Sequence, residues 1–221
     1  MARVIDEGLS KRELEDVIDK DDFSKYGNAL TNFSSQLSTN QSLLAMNVLK
    51  DPYRLDFVTL ERGYDEHDLE SAIAKDITRF LLELGSGFTY VGRQPEFVVG
   101  NEGYFPDLLF YHIRLRCYVV IELKVVDFKP EFAGKLNFYV TACNKLLRQP
   151  EDNPTIGLLL CKSKDQTKVE WAFDSIRNPM GVATYEGIKI KDKLPSVEDL
   201  KKRLDMVEQE LREYKENEEA S

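Results

Sequence analysis

This 221-residue chain is short of several things, and each shortage removes a class of function. No apolar run reaches the length of a membrane span, and residues 1–20 are charged, unlike a signal peptide. The expectation is a cytoplasmic protein with no membrane partner. Cysteine is limited to Cys117, Cys143 and Cys161, all in apolar surroundings. An odd count without paired spacing points to reduced core thiols, not to disulfides or a zinc site. Of the two histidines, His112 is expected to end a strand and His67 to sit on the surface of a first helical turn. No Ser/His/Asp set and no GxSxG elbow accompanies them. A phosphate-cradling glycine loop is also missing, because Gly85-Ser86-Gly87 ends a helix and no Lys-Ser/Thr follows. No internal repeat or low-complexity tract appears.

What is present is an ordinary globular balance, 42% hydrophobic and 31% charged, able to bury a real core. The length suits one good-sized domain with appendages, or two small ones. The net charge of -9 would repel nucleic acid if it were spread evenly. It is not. Residues 112–148 carry seven Lys/Arg against three acids, a net of +4, whereas residues 196–221 carry five against nine, a net of -4. A basic middle fits a local anionic substrate; mixed solvated faces would give the same numbers.

Along the chain, Leu9–Lys20 predicts a short helix with a Ser10/Glu13 capping box. Residues 24–47, rich in Ser, Asn and Gln, read as a weak helix or a connector. Asp65 caps a helix carrying Leu69, Ile73, Ile77, Phe80, Leu81 and Leu84 at helical spacing, ended by Gly85 and Gly87. Strands are expected at 88–99, 104–112 and 117–125, then a helix at 131–147. Thr155–Cys161 has the continuous apolar pattern of a buried strand. A helix at 165–176 and a last strand, Gly181–Glu186, follow. Ser196 caps a charged C-terminal helix with a narrow stripe from Val197 to Leu211. The order predicts an α/β domain with a mixed central sheet.

The chemistry lies in Pro106-Asp107 and, further on, Glu122-Leu123-Lys124. Strand alternation puts Glu122 and Lys124 on one face, with Cys117, Val119, Ile121 and Leu123 on the other. If Ile113–Arg116 form a four-residue loop, His112 pairs with Cys117, and Asp107 comes opposite Glu122. Carboxylates facing each other at about 5 Å repel without a cation. Mg²⁺ or Mn²⁺ bound by Asp107, Glu122 and the Leu123 carbonyl resolves the repulsion, and Lys124 orients a water. An Asp in a turn beside an exposed Glu-Lys pair is the plainer alternative. Glu70, at the edge of the buried stripe of the helix from Asp65, is either a further ligand or an ordinary first-turn acid. Lys135 and Tyr139, at i and i+4, share a helix face and are candidate substrate contacts. Arg93 and Gln94, expected to precede a strand at the same edge, are two more.

The acid-lysine pattern is that of PD-(D/E)xK nucleases, and its surroundings resemble the C-terminal nuclease domain of the YhcG family, a bacterial group. The likeness runs through Asp68–Ile73, Phe80–Gln94, Phe105–Lys124, Phe128–Ala142, Pro154–Phe173 and Gly181–Glu186. It implies a restriction-endonuclease-like fold with Glu70, Asp107, Glu122 and Lys124 at the motif positions. It implies a Mg²⁺- or Mn²⁺-dependent nuclease acting on DNA, with processing, restriction-like defence and mobile-element biology as the settings of the family. Two departures stand out: Lys135 where Gln is expected, and an N-terminal domain reduced to remnants. The expected division is 1–60 as remnant and connector, 61–195 as nuclease-like domain and 196–221 as charged helix. A non-catalytic module that binds nucleic acid or a protein on the same fold is the competing reading. The terminal helices are candidate homodimerisation elements under either.

Overall fold

The structure, a computed structural model, describes residues 29–191. In chain order its elements are β1 (Leu30–Thr31), α1 (Phe33–Gln36), α2 (Thr39–Val48), β2 (Tyr53–Arg54), β3 (Thr59–Glu61), α3 (Glu66–Lys75) and α4 (Ile77–Leu84). Then come β4 (Phe88–Arg93), β5 (Phe97–Val99), β6 (Glu102–Tyr104), β7 (Leu108–His112), β8 (Cys117–Leu123) and α5 (Pro130–Leu146). The last are β9 (Ile156–Cys161), α6 (Gln166–Phe173), β10 (Met180–Glu186) and β11 (Lys189–Lys191). The helices expected at 9–20 and after Ser196 lie outside the described residues. The described residues fall into two units, one made of 29–60 and Tyr64–Lys189, the other of Glu61–Gly63 with Ile190 and Lys191. In the second unit the Arg62 N–H donates to the Lys191 carbonyl at 3.1 Å.

The first unit is built on a seven-stranded mixed sheet in the order β1-β10-β9-β8-β7-β4, with β2 also pairing β10. Strands β8, β9 and β10 run parallel, each joined to the next through a helix, α5 then α6. Parallel neighbours need such crossovers, whereas the antiparallel β7–β8 pair needs only a tight loop. All of β9 is buried, as its unbroken apolar run requires. Against one face pack Leu69 and Ile73 of α3 and Phe80 and Leu84 of α4, meeting Phe110, Ile121 and Leu158. Against the other pack Leu136 and Val140 of α5 and Val169 of α6, meeting Leu109, Val120 and Leu159. Gly157 lets α5 close on the sheet. A Cβ there would stand 2.8 Å from Val140 Cγ2 and 3.0 Å from Leu136 Cγ.

Four sequence expectations need correction. The single helix from Asp65 is two, because Asp76 leaves helical geometry and its own carboxylate accepts the Arg79 N–H to cap α4. The Asp65 cap itself is present, with a capping box to Asp68. The strand at 88–99 is divided by Gln94, whose φ of 43° ends β4 before β5 begins. The one at 104–112 is divided too, since Tyr104 ends the short β5–β6 hairpin and β7 starts at Leu108. Finally, β11 follows the strand expected to be last; its exposed Lys-Ile-Lys carries no burial pattern to announce it. The three cysteines are free and buried, and burial pushes each thiol up to about 12.

Candidate active site

The β7–β8 hairpin has the register its four-residue loop demands. His112 pairs with Cys117 and Leu108 with Ile121. His112 is wholly buried, and its Nδ1 accepts the Leu115 N–H at 3.0 Å, which closes the loop. At the open end, Leu108 and Ile121 form the last pair of the ladder. Asp107 lies one step beyond, and its side chain takes the next backbone donor: Oδ2 accepts the Leu123 N–H at 2.7 Å.

Glu122 points to the α5 side of the sheet and is fully buried. Its Oε1 accepts from Lys124 Nζ at 3.2 Å and from Lys135 Nζ at 2.5 Å. Lys124 also donates to the Leu123 carbonyl at 3.0 Å. Glu122 Oε2 is buried with no hydrogen-bond partner among the described residues. The Lys135 ammonium, which meets Glu122, stands 5.3 Å over the Tyr139 ring, and Tyr139 itself is buried against the sheet. Burial, then the neighbouring Glu122, pushes the Asp107 carboxyl up to about 7, despite the Leu123 N–H and Lys124. Burial pulls the Lys135 ammonium down, but Glu122 outweighs it and the net shift is upward.

Glu70 approaches from the opposite face. It is 2% exposed on α3, beside buried Leu69 and Ile73. Arg93 Nε donates to its Oε1 at 2.5 Å and Gln94 Nε2 to its Oε2 at 2.8 Å. Arg93 is the last residue of β4, and with Gln94 it precedes the short β5. A bulge between Tyr90 and Gly92 shifts the register so that Arg93 pairs with Leu108 and turns to the α3 face. Gln94 joins the two groups, because its backbone N–H donates to the Asp107 carbonyl at 3.0 Å. All nine residues singled out in the sequence therefore gather around one end of β8. Two further residues support the site: Ser71 Oγ accepts from Arg93 Nη2 at 2.9 Å, and the Tyr185 hydroxyl donates to the Lys124 carbonyl at 3.1 Å. Tyr185 arrives on β10, and nothing local to it or to Lys124 signals that contact.

Among the described residues no group of three or more His, Cys, Asp or Glu side chains converges as a metal cage. The oxygens present still suit a small hard dication. Two carboxylates and a main-chain carbonyl, with one buried carboxylate oxygen unused, leave the rest of its shell to water.

Residues 46–205 match the profile of the YhcG PDDEXK nuclease domain. The chain belongs to that family. Membership brings the restriction-endonuclease-like fold, in agreement with the mixed sheet and its helices. PDDEXK nucleases generally use divalent metals. The protein "Putative nuclease YhcG" of Escherichia coli (strain K12) is 35% identical over 144 residues, 65% of this chain. The matched part spans 38% of that relative's length. A crystal structure of a repair endonuclease from Pyrococcus abyssi superposes with a TM-score of 0.35 at 14% identity, covering 61% of this chain and 49% of that one. Likeness so loose carries no weight. No helix among the described residues is long and apolar enough to cross a membrane.

Proposed function

We propose that this YhcG-type domain hydrolyses phosphodiester bonds, with DNA as substrate and Mg²⁺ or Mn²⁺ as cofactor. One observation carries it. Two neighbouring carboxylates are held where water is scarce, and Glu122 Oε2 is left without a partner. Like charges so placed are costly until a cation joins them.

Asp107, Glu122 and the Leu123 carbonyl would hold the ion. When bound, it would polarise the scissile phosphate and lower the pKa of an attacking water. Lys124, fixed between the Glu122 carboxylate and the Leu123 carbonyl, positions the nucleophile and steadies developing negative charge. Glu70 assists by clamping Arg93 and Gln94, which with Lys135 would contact the substrate, while the buried Tyr139 ring backs the Lys135 ammonium. Three free thiols support a reducing compartment, the cytoplasm. DNA processing or defence is the setting this reading favours.

The test is incubation of plasmid and linear DNA with Mn²⁺, using the parent protein, Asp107→Asn and Lys124→Ala. The parent cleaves, and each variant loses on the order of 10²–10³ in rate. No cleavage, or equal cleavage by all three, overturns the proposal. A second reading, binding without turnover, draws support from Lys135 already pairing with Glu122. It predicts salt-sensitive DNA binding and no metal-dependent product.

A further inference from the structure

Lys135 is the odd member of the cluster around Glu122. It projects from α5 with its side chain 47% exposed, yet its ammonium lies only 2.5 Å from Glu122 Oε1. The Tyr139 ring backs it at 5.3 Å. Lys124 reaches the same oxygen from the end of β8 at 3.2 Å, with its side chain 12% exposed.

Charge limits what such a cluster can take. Asp107 and Glu122, when ionised, bring two negative charges, and Lys124 and Lys135 bring two positive ones. The cluster is therefore neutral before any metal arrives. A phosphodiester carries one negative charge and gains a second as hydroxide adds to it. One dication matches both. A second would leave two positive charges unanswered where water is scarce and repulsion is strong.

The oxygens set the same limit. Asp107 Oδ2 accepts the Leu123 N–H at 2.7 Å, and Glu122 Oε1 already meets both ammonium groups. Asp107 Oδ1, Glu122 Oε2 and the Leu123 carbonyl are left for a metal. Three oxygens and a few waters complete the shell of one small hard ion. Two ions about 4 Å apart would have to divide the carboxylate oxygens between them. Glu122 Oε1 is the oxygen a second ion would need, and an ammonium holds that place. Lys135 also has reason to stay. If it swung into water, this oxygen of a fully buried carboxylate would keep only Lys124.

We propose that the Lys135 ammonium stands in for a second metal ion, so that Asp107 and Glu122 hold one ion and no more. This rests on the metal-dependent reading above and fixes how many ions that reading takes.

Ions are counted without turnover, by electron paramagnetic resonance of free Mn²⁺ titrated against the protein with no nucleic acid present. Surface carboxylates also attract Mn²⁺ in a chain of net charge -9, so binding by Asp107→Asn is subtracted. Expected is one ion in the parent, and one in Lys135→Arg, which keeps the cation. Lys135→Gln removes the charge and offers an amide oxygen, and is expected to bind two. In EDTA this variant melts below the parent, because Glu122 has lost an ammonium, and Mn²⁺ raises its melting temperature further than the parent's. Two ions in the parent, or only one in Lys135→Gln, overturns the proposal and leaves a metal-dependent nuclease standing. No ion in the parent or in either Lys135 variant overturns the metal reading itself, and the proposal falls with it.

Discussion

Asp51 and Glu122 are both buried carboxylates in the same unit, and they are finished in opposite ways. Asp51 Oδ1 accepts the Thr184 N–H at 2.7 Å and the Thr184 hydroxyl at 2.6 Å, while Oδ2 takes the Lys164 ammonium. Lys164 donates onward to the Val182 carbonyl at 3.2 Å. Every charge there is answered from within the chain. Glu122 gives one oxygen to two ammonium groups, leaves the other unpaired, and has Asp107 as a like-charged neighbour. The first arrangement fastens the segment before β2 to β10. The second is open on one side, and openness in a place where charge is costly is the mark of a site addressed to something from outside.

Breaking the closed cluster has the largest expected effect. Asp51→Ala leaves Lys164 with a single carbonyl, its side chain 13% exposed and so unable to recover much hydration. A buried pair broken on one side costs about 3–5 kcal/mol, which urea denaturation would read directly. Asp51→Asn keeps an acceptor for Thr184 and is expected to lose less. Cleavage per folded molecule stays at the parental value in both. Parental stability in Asp51→Ala would erase the distinction between the clusters.

The open cluster responds with the opposite sign. In the folded chain Asp107 titrates at about 7 against an ordinary 3.8. Between those values the folded state holds more proton than the unfolded one, so stability falls as pH rises through that window. Asp107→Asn removes the titration. With EDTA present, the parent's melting temperature is expected to drop from pH 5 to pH 8, and the variant's to stay flatter. At pH 8 the variant should be more stable by about 2–3 kcal/mol, a figure kept below the full linkage value because the group keeps some contact with water. A variant less stable than the parent at pH 8 would mean that Asp107 is structural.

How much of this the sequence discloses follows from how local each cause is. The register that brings Asp107 to the end of β8 depends on a four-residue loop, and alternation within one strand sets Glu122 beside Lys124. Both are legible. The i, i+4 face of Lys135 and Tyr139 is legible too, but that it meets Glu122 depends on how closely Gly157 lets α5 approach. The bulge that turns Arg93 toward α3 leaves no such trace, because Val91 looks like any strand residue and is 49% exposed. Asp51 and Lys164 are 113 residues apart, and only the folded sheet relates them.

Glu70 tests where the boundary between the two kinds of cluster falls. Both its oxygens are used, by Arg93 and Gln94, so by hydrogen bonding it resembles Asp51. By position it belongs with Asp107, whose carbonyl holds the same Gln94. Breaking it should cost little, because the Arg93 side chain is 32% exposed and can turn to water, unlike Lys164. Glu70→Gln is expected to lose only about 1 kcal/mol of stability. Steady-state kinetics then decide its role. If Glu70 positions Arg93 and Gln94 on the substrate, KM rises severalfold with kcat little changed, and Arg93→Ala reproduces the effect. A fall in kcat of a hundredfold with KM unchanged would instead put Glu70 among the reacting groups, and a filled hydrogen-bond inventory would no longer separate fastener from site.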